Sequence, residues 1–364
     1  MKRATIFLLL LAIVVAAAFY YWWSKPAAPA PAAPPDLITL FPPDATFILY
    51  ADAAALRASP FVRELLRQLP AATEDGDYKE FVAATGFDYT RDLARLAVAV
   101  LPHEEGGNAI AFADGRFDHG RIASYALKSG KLVKRDGRDV YEFTTGNLPT
   151  SAKSNSSSPK TMQLVFLSDT RVGLFEGAQT FHALSSSASH SSPGDRPGEN
   201  GSALGQRVTR VAASEAFAIV HVDKAPSSAI LEGWASKEIA ETLQGVKWVT
   251  LAARPAGNDM NVVLEAECDS PTNARKLSWG LEGLRILARM SLSDPKSRQG
   301  LDPGLAALLE VIAKDGKITS SDRYVRLSFA LTQQFLAAMN ALPPHTSAPP
   351  PAEKANGRGS PSKR

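Results

Sequence analysis

The sequence predicts an α+β fold: an N-terminal transmembrane helix followed by two similar antiparallel-sheet-plus-helix units, made by internal duplication. Three observations predict it. A run of twenty residues without a charge opens the chain. Two long segments, "RLAVAVLPHEEGGNAIAFADG" and "KWVTLAARPAGNDMNVVLEAE", read as hairpins around Gly-containing turns, which makes the pairing antiparallel. And "DATFILYAD", from Asp44 to Asp52, returns as "EAFAIVHVD", from Glu215 to Asp223, at an offset of 171 residues.

The first element is the anchor, residues 1–23. Lys2 and Arg3 precede residues 4–23, from Ala4 to Trp23. Twenty residues at 1.5 Å each span roughly 30 Å of hydrocarbon. Tyr20, Tyr21, Trp22 and Trp23 close the run as an interfacial aromatic belt. The positive end stays cytoplasmic, which puts the body outside. The rival reading is a cleaved signal peptide with Ala16-Ala17-Ala18 at its cleavage site; the bulky aromatics directly after are poor context for it. Either reading makes the body extracytoplasmic.

Residues 24–38 form a spacer. "SKPAAPAPAAPPD" favours extended polyproline II, about 3 Å per residue. The first α+β unit, 39–184, begins with a strand near 46–51, apolar on both faces. Asp52 ends it, and its carboxylate suits a turn or helix cap. Ser59-Pro60 then reads as N-cap and first helical residue. Phe61, Val62, Leu65, Leu66 and Leu69 share one face of the helix that follows, 60–69. Further strands are expected near 93–101, 108–115, 131–135 and 139–144, then in "TMQLVFLS" and "TRVGLFEG", with helices near 118–128 and 178–185.

Residues 185–209, rich in Ser, Gly and Pro, read as a disordered linker. The second unit, 210–342, has strands expected near 216–222, 246–253, 259–267 and 323–329. Its helices are expected near 236–244, 271–290, 302–313 and 332–341. The helix near 271–290 carries a broad apolar stripe, and Trp279 on it suits either a core or an exposed patch. Helices are expected on one sheet face. Residues 343–364 read as a disordered basic tail. Two weaker matches follow the first in the same order: "RLAVAVLP" with "WVTLAARP", and "KRDGRDVYEF" with "AKDGKITSSDRYVRLSF".

The net charge of +3 sits at the ends. Lys2, Arg3 and Lys25 oppose only Asp36 at one end; Lys354, Arg358, Lys363 and Arg364 oppose only Glu353 at the other. The body between is slightly acidic and has no basic stripe, which argues against nucleic-acid binding. Cys268 is the single cysteine, so there is neither an intrachain disulfide nor a zinc cage. An intermolecular disulfide stays open, though a lone Cys beside strand residues suits a core.

Candidate chemistry is sparse. His221 and Asp223 point to the same side of one strand, with Ser227 and Ser228 close behind, so a nucleophile, base and orienter can be sketched. Residues so close on one strand seldom reach that geometry, and Tyr50 stands at the place of His221 in the first unit. His103, Glu104 and Glu105 sit in a hairpin turn without the second His of a zinc motif. His182 and His190 flank the linker and make a weak ligand set. No P-loop, dinucleotide fingerprint, nucleophile elbow or EF-hand loop appears, so no cofactor or metal is implied.

"ADAAALRASPFVRELL" followed by "GFDYTRDLARLAVAV" resembles a group of uncharacterised, membrane-anchored or exported bacterial proteins, with the same strand–Asp–helix opening and a "GFD…DL" step into the second strand. The resemblance covers about residues 40–115. It implies a bacterial envelope location and an α+β body, and transfers no catalytic residue. The expected location is the bacterial inner membrane, single-pass, N-terminus cytoplasmic and body periplasmic. The expected function is a non-enzymatic envelope protein, held in the lipid bilayer through residues 4–23, that binds or scaffolds a protein or envelope component. Two alternatives remain. One is an extracytoplasmic hydrolase with a site between the units, using Asp52, His221 or Asp223. The other is a lipid or small-ligand binder with an apolar cleft.

Overall fold

The computed structural model describes residues 35–68, 76–102, 108–144, 161–177, 203–222, 245–293 and 303–340. The anchor, most of the spacer, the tail and the helices expected near 178–185 and 236–244 lie outside these residues. No helix among the described residues is long and apolar enough to cross a membrane.

The opening strand β1 (Phe47–Asp52) lies inside one antiparallel sheet of twelve strands. Its first neighbour is β2 (Leu93–Leu101), hairpinned to β3 (Asn108–Gly115). Two further hairpins follow in the chain, β4 (Gly130–Arg135) with β5 (Arg138–Thr144) and β6 (Thr161–Ser168) with β7 (Arg171–Glu176). The other neighbour of β1 is β8 (Ala216–His221), followed by the hairpin of β9 (Val246–Ala256) and β10 (Asp259–Cys268). The hairpin of β11 (Lys317–Ser321) and β12 (Tyr324–Leu331) completes the sheet. Its order is β11-β12-β10-β9-β8-β1-β2-β3-β7-β6-β5-β4. The sheet is therefore continuous across both expected units, joined where β1 pairs with β8. Asp136-Gly137 turns the β4–β5 hairpin with both φ angles positive, 48° and 75°, as a primed two-residue turn needs.

Ile48 lies directly opposite Ile219 at the centre of that junction, with Phe47 opposite Val220 and Leu49 opposite Ala218. From there β1-β2-β3 runs one way and β8-β9-β10 the other. The last hairpin of the second half follows directly as β12-β11. In the first half, β7 and β6 stand between β3 and the edge pair β5-β4.

Both faces of β1 are covered, as its apolar sequence requires. Ala51 joins a core with α1 (Ala53–Ala58) and α2 (Pro60–Gln68), through Leu56, Phe61, Val62 and Leu65. The helices α8 (Pro303–Asp315) and α9 (Gln333–Asn340) complete that layer with Ala307, Phe335 and Leu336. On the same side, α5 (His119–Leu127) covers Leu164 and Val172 through Ala126, and α7 (Pro271–Ser293) covers Val246 and Val325 through Ala274 and Leu277. Two short helices, α3 (Gly76–Thr85) and α4 (Tyr89–Asp92), lead into β2.

The expectation of helices on one face needs a correction. Ile48 and Tyr50 point to the other side, where Leu37, Ile38 and Phe41 pack on them together with the helix α6 (Ala203–Val211). That helix overlaps the stretch 185–209 expected to be linker. Leu204, Val208 and Val211 recur at helical spacing and are buried, each contributing at most about 1.5–3 kcal/mol. The spacer likewise ends early, because Leu37 and Ile38 are core residues.

Candidate functional site

Asp52 is the N-cap of α1. Its carboxylate accepts a hydrogen bond from the Ala55 N–H at 2.8 Å, and its own N–H donates to the Glu215 carbonyl at 2.6 Å. His221 ends β8 at the far end of the junction, where its N–H donates to the Thr46 carbonyl at 2.8 Å. Six strand positions separate Thr46 from Asp52, which puts Asp52 and His221 roughly 20 Å apart. The His221 ring stacks on Trp248 at 4.1 Å with the planes 3° apart. Asp223, with Ser227 and Ser228, lies outside the described residues, as do His103, Glu104, Glu105, His182 and His190. A nucleophile–base unit of Asp52 with His221 is thus not assembled. Burial, with the Asp52 carboxylate nearby, pushes the Tyr50 phenol up to about 12.

The "GFD…DL" step is a structural joint. Asp88 caps α4, accepting from the Thr90 N–H at 2.9 Å and from the Tyr78 hydroxyl at 2.8 Å. Asp92 is 7% exposed and accepts from the Asp88 N–H at 3.0 Å, from Arg91 at 2.7 Å and from Arg116 at 2.7 Å. The Arg91 hydrogen bond, with burial opposing it, holds its carboxyl well below the usual range. Gly115 is required beside it: a Cβ there would lie 2.5 Å from the Asp92 carbonyl oxygen.

Charged side chains gather on the face opposite the main helix layer. In the first half, the buried Asp114 of β3 accepts from Arg95 of β2 at 2.5 Å and from Arg171 of β7 at 2.6 and 3.0 Å. Both arginines also reach Asp36, at 2.8 and 2.5 Å. Burial opposes ionisation of Asp36, but the two guanidiniums win and lower its pKa. In the second half, Glu267 and Glu265 of β10 pair with Arg207 and Arg210 of α6 and with Arg326 of β12. The Arg207 guanidinium lies 4.2 Å from the Trp248 ring centre and that of Arg210 lies 5.1 Å from Tyr324. These are cross-strand ladders whose carboxylates pair with guanidiniums, an arrangement that ties neighbouring strands and α6 together.

No family model matches the chain, and no curated protein does. Among solved structures it aligns with crystal forms of TP0453. Form III gives a TM-score of 0.41 at 9% identity, over 84% of this chain and 98% of that one; form IV gives 0.39 at 9%, over 85% and 98%. Likeness at this level sets neither fold nor function.

Two surface features remain. A shallow depression of about 440 Å³ is lined by His119, Gly120, Ala123, Arg138, Tyr141 and Phe166, among others. The His119 ring stacks on Phe166 at 4.0 Å and reaches the Asp169 carbonyl at 3.2 Å, so that imidazole is held in place. The second is the outer side of α7, where Trp279 is 73% exposed. The stripe legible in the sequence mixes two sides of this helix: Leu277 faces the sheet, whereas Ile286, Leu287 and Met290 face outward. Among the described residues no cluster of three metal-ligating side chains occurs.

Proposed function

We propose that the protein is a non-enzymatic, membrane-anchored envelope protein of the bacterial inner membrane, with its body in the periplasm, that binds or scaffolds another envelope component. One observation carries this reading. The last residue of the Pro/Ala run, Asp36, is clamped to the sheet by Arg95 and Arg171. The spacer therefore ends at a fixed point on a rigid body, as a presenting stalk should. The use of Asp52 as a cap, the stacked His221 and the guanidinium-paired carboxylates favour a scaffold over a hydrolase.

We also read the body as one plan used twice. The offset of 171 residues that aligns the two opening strands pairs Ile48 with its own counterpart, Ile219, as a two-fold axis through the junction would. Removing β6 and β7 gives the order 1-2-3-5-4, which matches 8-9-10-12-11. This supports duplication followed by insertion of one hairpin in the first half.

The test uses tagged full-length protein in intact cells. It should stay with the membrane after alkaline extraction, and replacement of residues 1–23 by a cleavable signal peptide should release it to the periplasm. Pull-down after crosslinking of intact envelopes should recover a specific partner. Release of the intact protein by alkali would refute the anchor, and recovery of no partner would refute the scaffold.

A further inference from the structure

We infer that the outer face of α7 lies on the surface of an anionic bilayer. Five of the eight large apolar side chains exposed among the described residues are on this one helix: Trp279, Leu284, Ile286, Leu287 and Met290. Trp279, Ile286 and Met290 follow at seven and four residues, so they share one side, opposite the buried Ala274, Leu277 and Leu292. The helix thus has two apolar faces. One covers the sheet, and the other meets solvent.

Charge selects the occupant. Arg275, Lys276, Arg285 and Arg289 stand on the helix against Glu282 alone, which Arg285 binds at 2.6 Å. A shallow groove of about 340 Å³ is lined by Ile286 and Met290 together with Arg285, Arg289 and Ser293, cations beside apolar side chains. Arg285 also donates to the Ala313 carbonyl at 3.1 Å, which leaves Arg289 as the groove's outward cation. A phosphate headgroup over its acyl chain has that polarity. A second copy placing its α7 here would bring like charges together. The bilayer is also within reach. The twelve residues between Trp23 and Asp36 allow up to about 37 Å at the polyproline II rise, to be used in passing a sheet edge because Asp36 sits on the sheet face opposite α7. For this proximity the inference rests on the tethered reading above.

The test places a nitroxide at position 290 by Met290→Cys in the full chain, with Lys314→Cys on α8 as control. Cys268, 1% exposed, stays unlabelled. The protein is reconstituted into phosphatidylcholine vesicles with or without phosphatidylglycerol, and depth is read from oxygen and nickel relaxation. The label at 290 should sit roughly 5–10 Å below the headgroups in the anionic vesicles, while the one at 314 stays aqueous. Arg275→Gln and Arg289→Gln should each weaken the docked fraction roughly fivefold. An aqueous label at 290 in protein that resists alkaline extraction overturns this inference and spares the tether. A label shielded from both relaxants in detergent as in vesicles means that protein covers the helix, and also overturns it. Alkali-released protein whose label still enters anionic vesicles refutes the tether alone.

Discussion

Replacing Asp114 with Ala should destabilise the body far more than replacing Asp36, although both touch the same two arginines. The Asp114 side chain is 9% exposed and takes three bonds of 2.5, 2.6 and 3.0 Å, whereas that of Asp36 is 54% exposed. Removing one partner of a buried ion pair costs about 3–5 kcal/mol. Here Arg95 and Arg171 keep some water, at 35% and 22% exposure, and keep Asp36, so the expected cost is about 2–3 kcal/mol. Asp36→Ala breaks a mostly solvated pair and should cost about 0.5–1 kcal/mol. Urea unfolding followed by circular dichroism at neutral pH measures both, and the double variant gives their coupling. Equal losses, or a loss at Asp114 within 0.5 kcal/mol of zero, would refute the view that this ladder holds the first half of the sheet together.

Three further outcomes are expected. Asp92→Asn should cost about 2–3 kcal/mol near neutral pH. Because the folded pKa of Asp92 is depressed, its contribution is full above the ordinary value of 3.8 and fades as pH falls below it. Wild type and variant should therefore converge in stability in acid, which urea midpoints across pH would show. Phe61→Ala, at a fully buried position under β1, should lose about 3–5 kcal/mol and lower the thermal midpoint by several degrees. Cys268 is buried, and burial raises its thiol pKa, so maleimide should label it only after denaturation; rapid labelling of the native protein would contradict the packing.

How legible the molecule is in its sequence depends on where each signal resides. The β2, β3 and β6 strands have the limits read from alternation, because their apolar residues meet covered faces. β11 escapes notice because "KITSS" is an exposed, polar edge strand with only Ile318 turned toward a core. α6 is hidden by the Ser/Gly/Pro-rich run before it, although Leu204, Val208 and Val211 carry the helical period. What the His221 imidazole meets cannot be read from its own strand, since Trp248 comes from another. The ladders are likewise invisible in one dimension: Arg171 and Asp114 lie 57 residues apart, and only strand register brings them together. Trp279 becomes an outward residue only once α7 is seated on the sheet.

The seam between β1 and β8 sets a rule for how the chain is made. When the first half has left the ribosome, one side of β1 is still a bare hydrophobic ribbon edge, the kind that recruits stray strands. Its mate follows about 170 residues later, on the order of ten to thirty seconds at ordinary synthesis speed. A chain cut after the first half would carry that open edge permanently, so such fragments should clump, whereas the whole chain seals itself once its second half arrives.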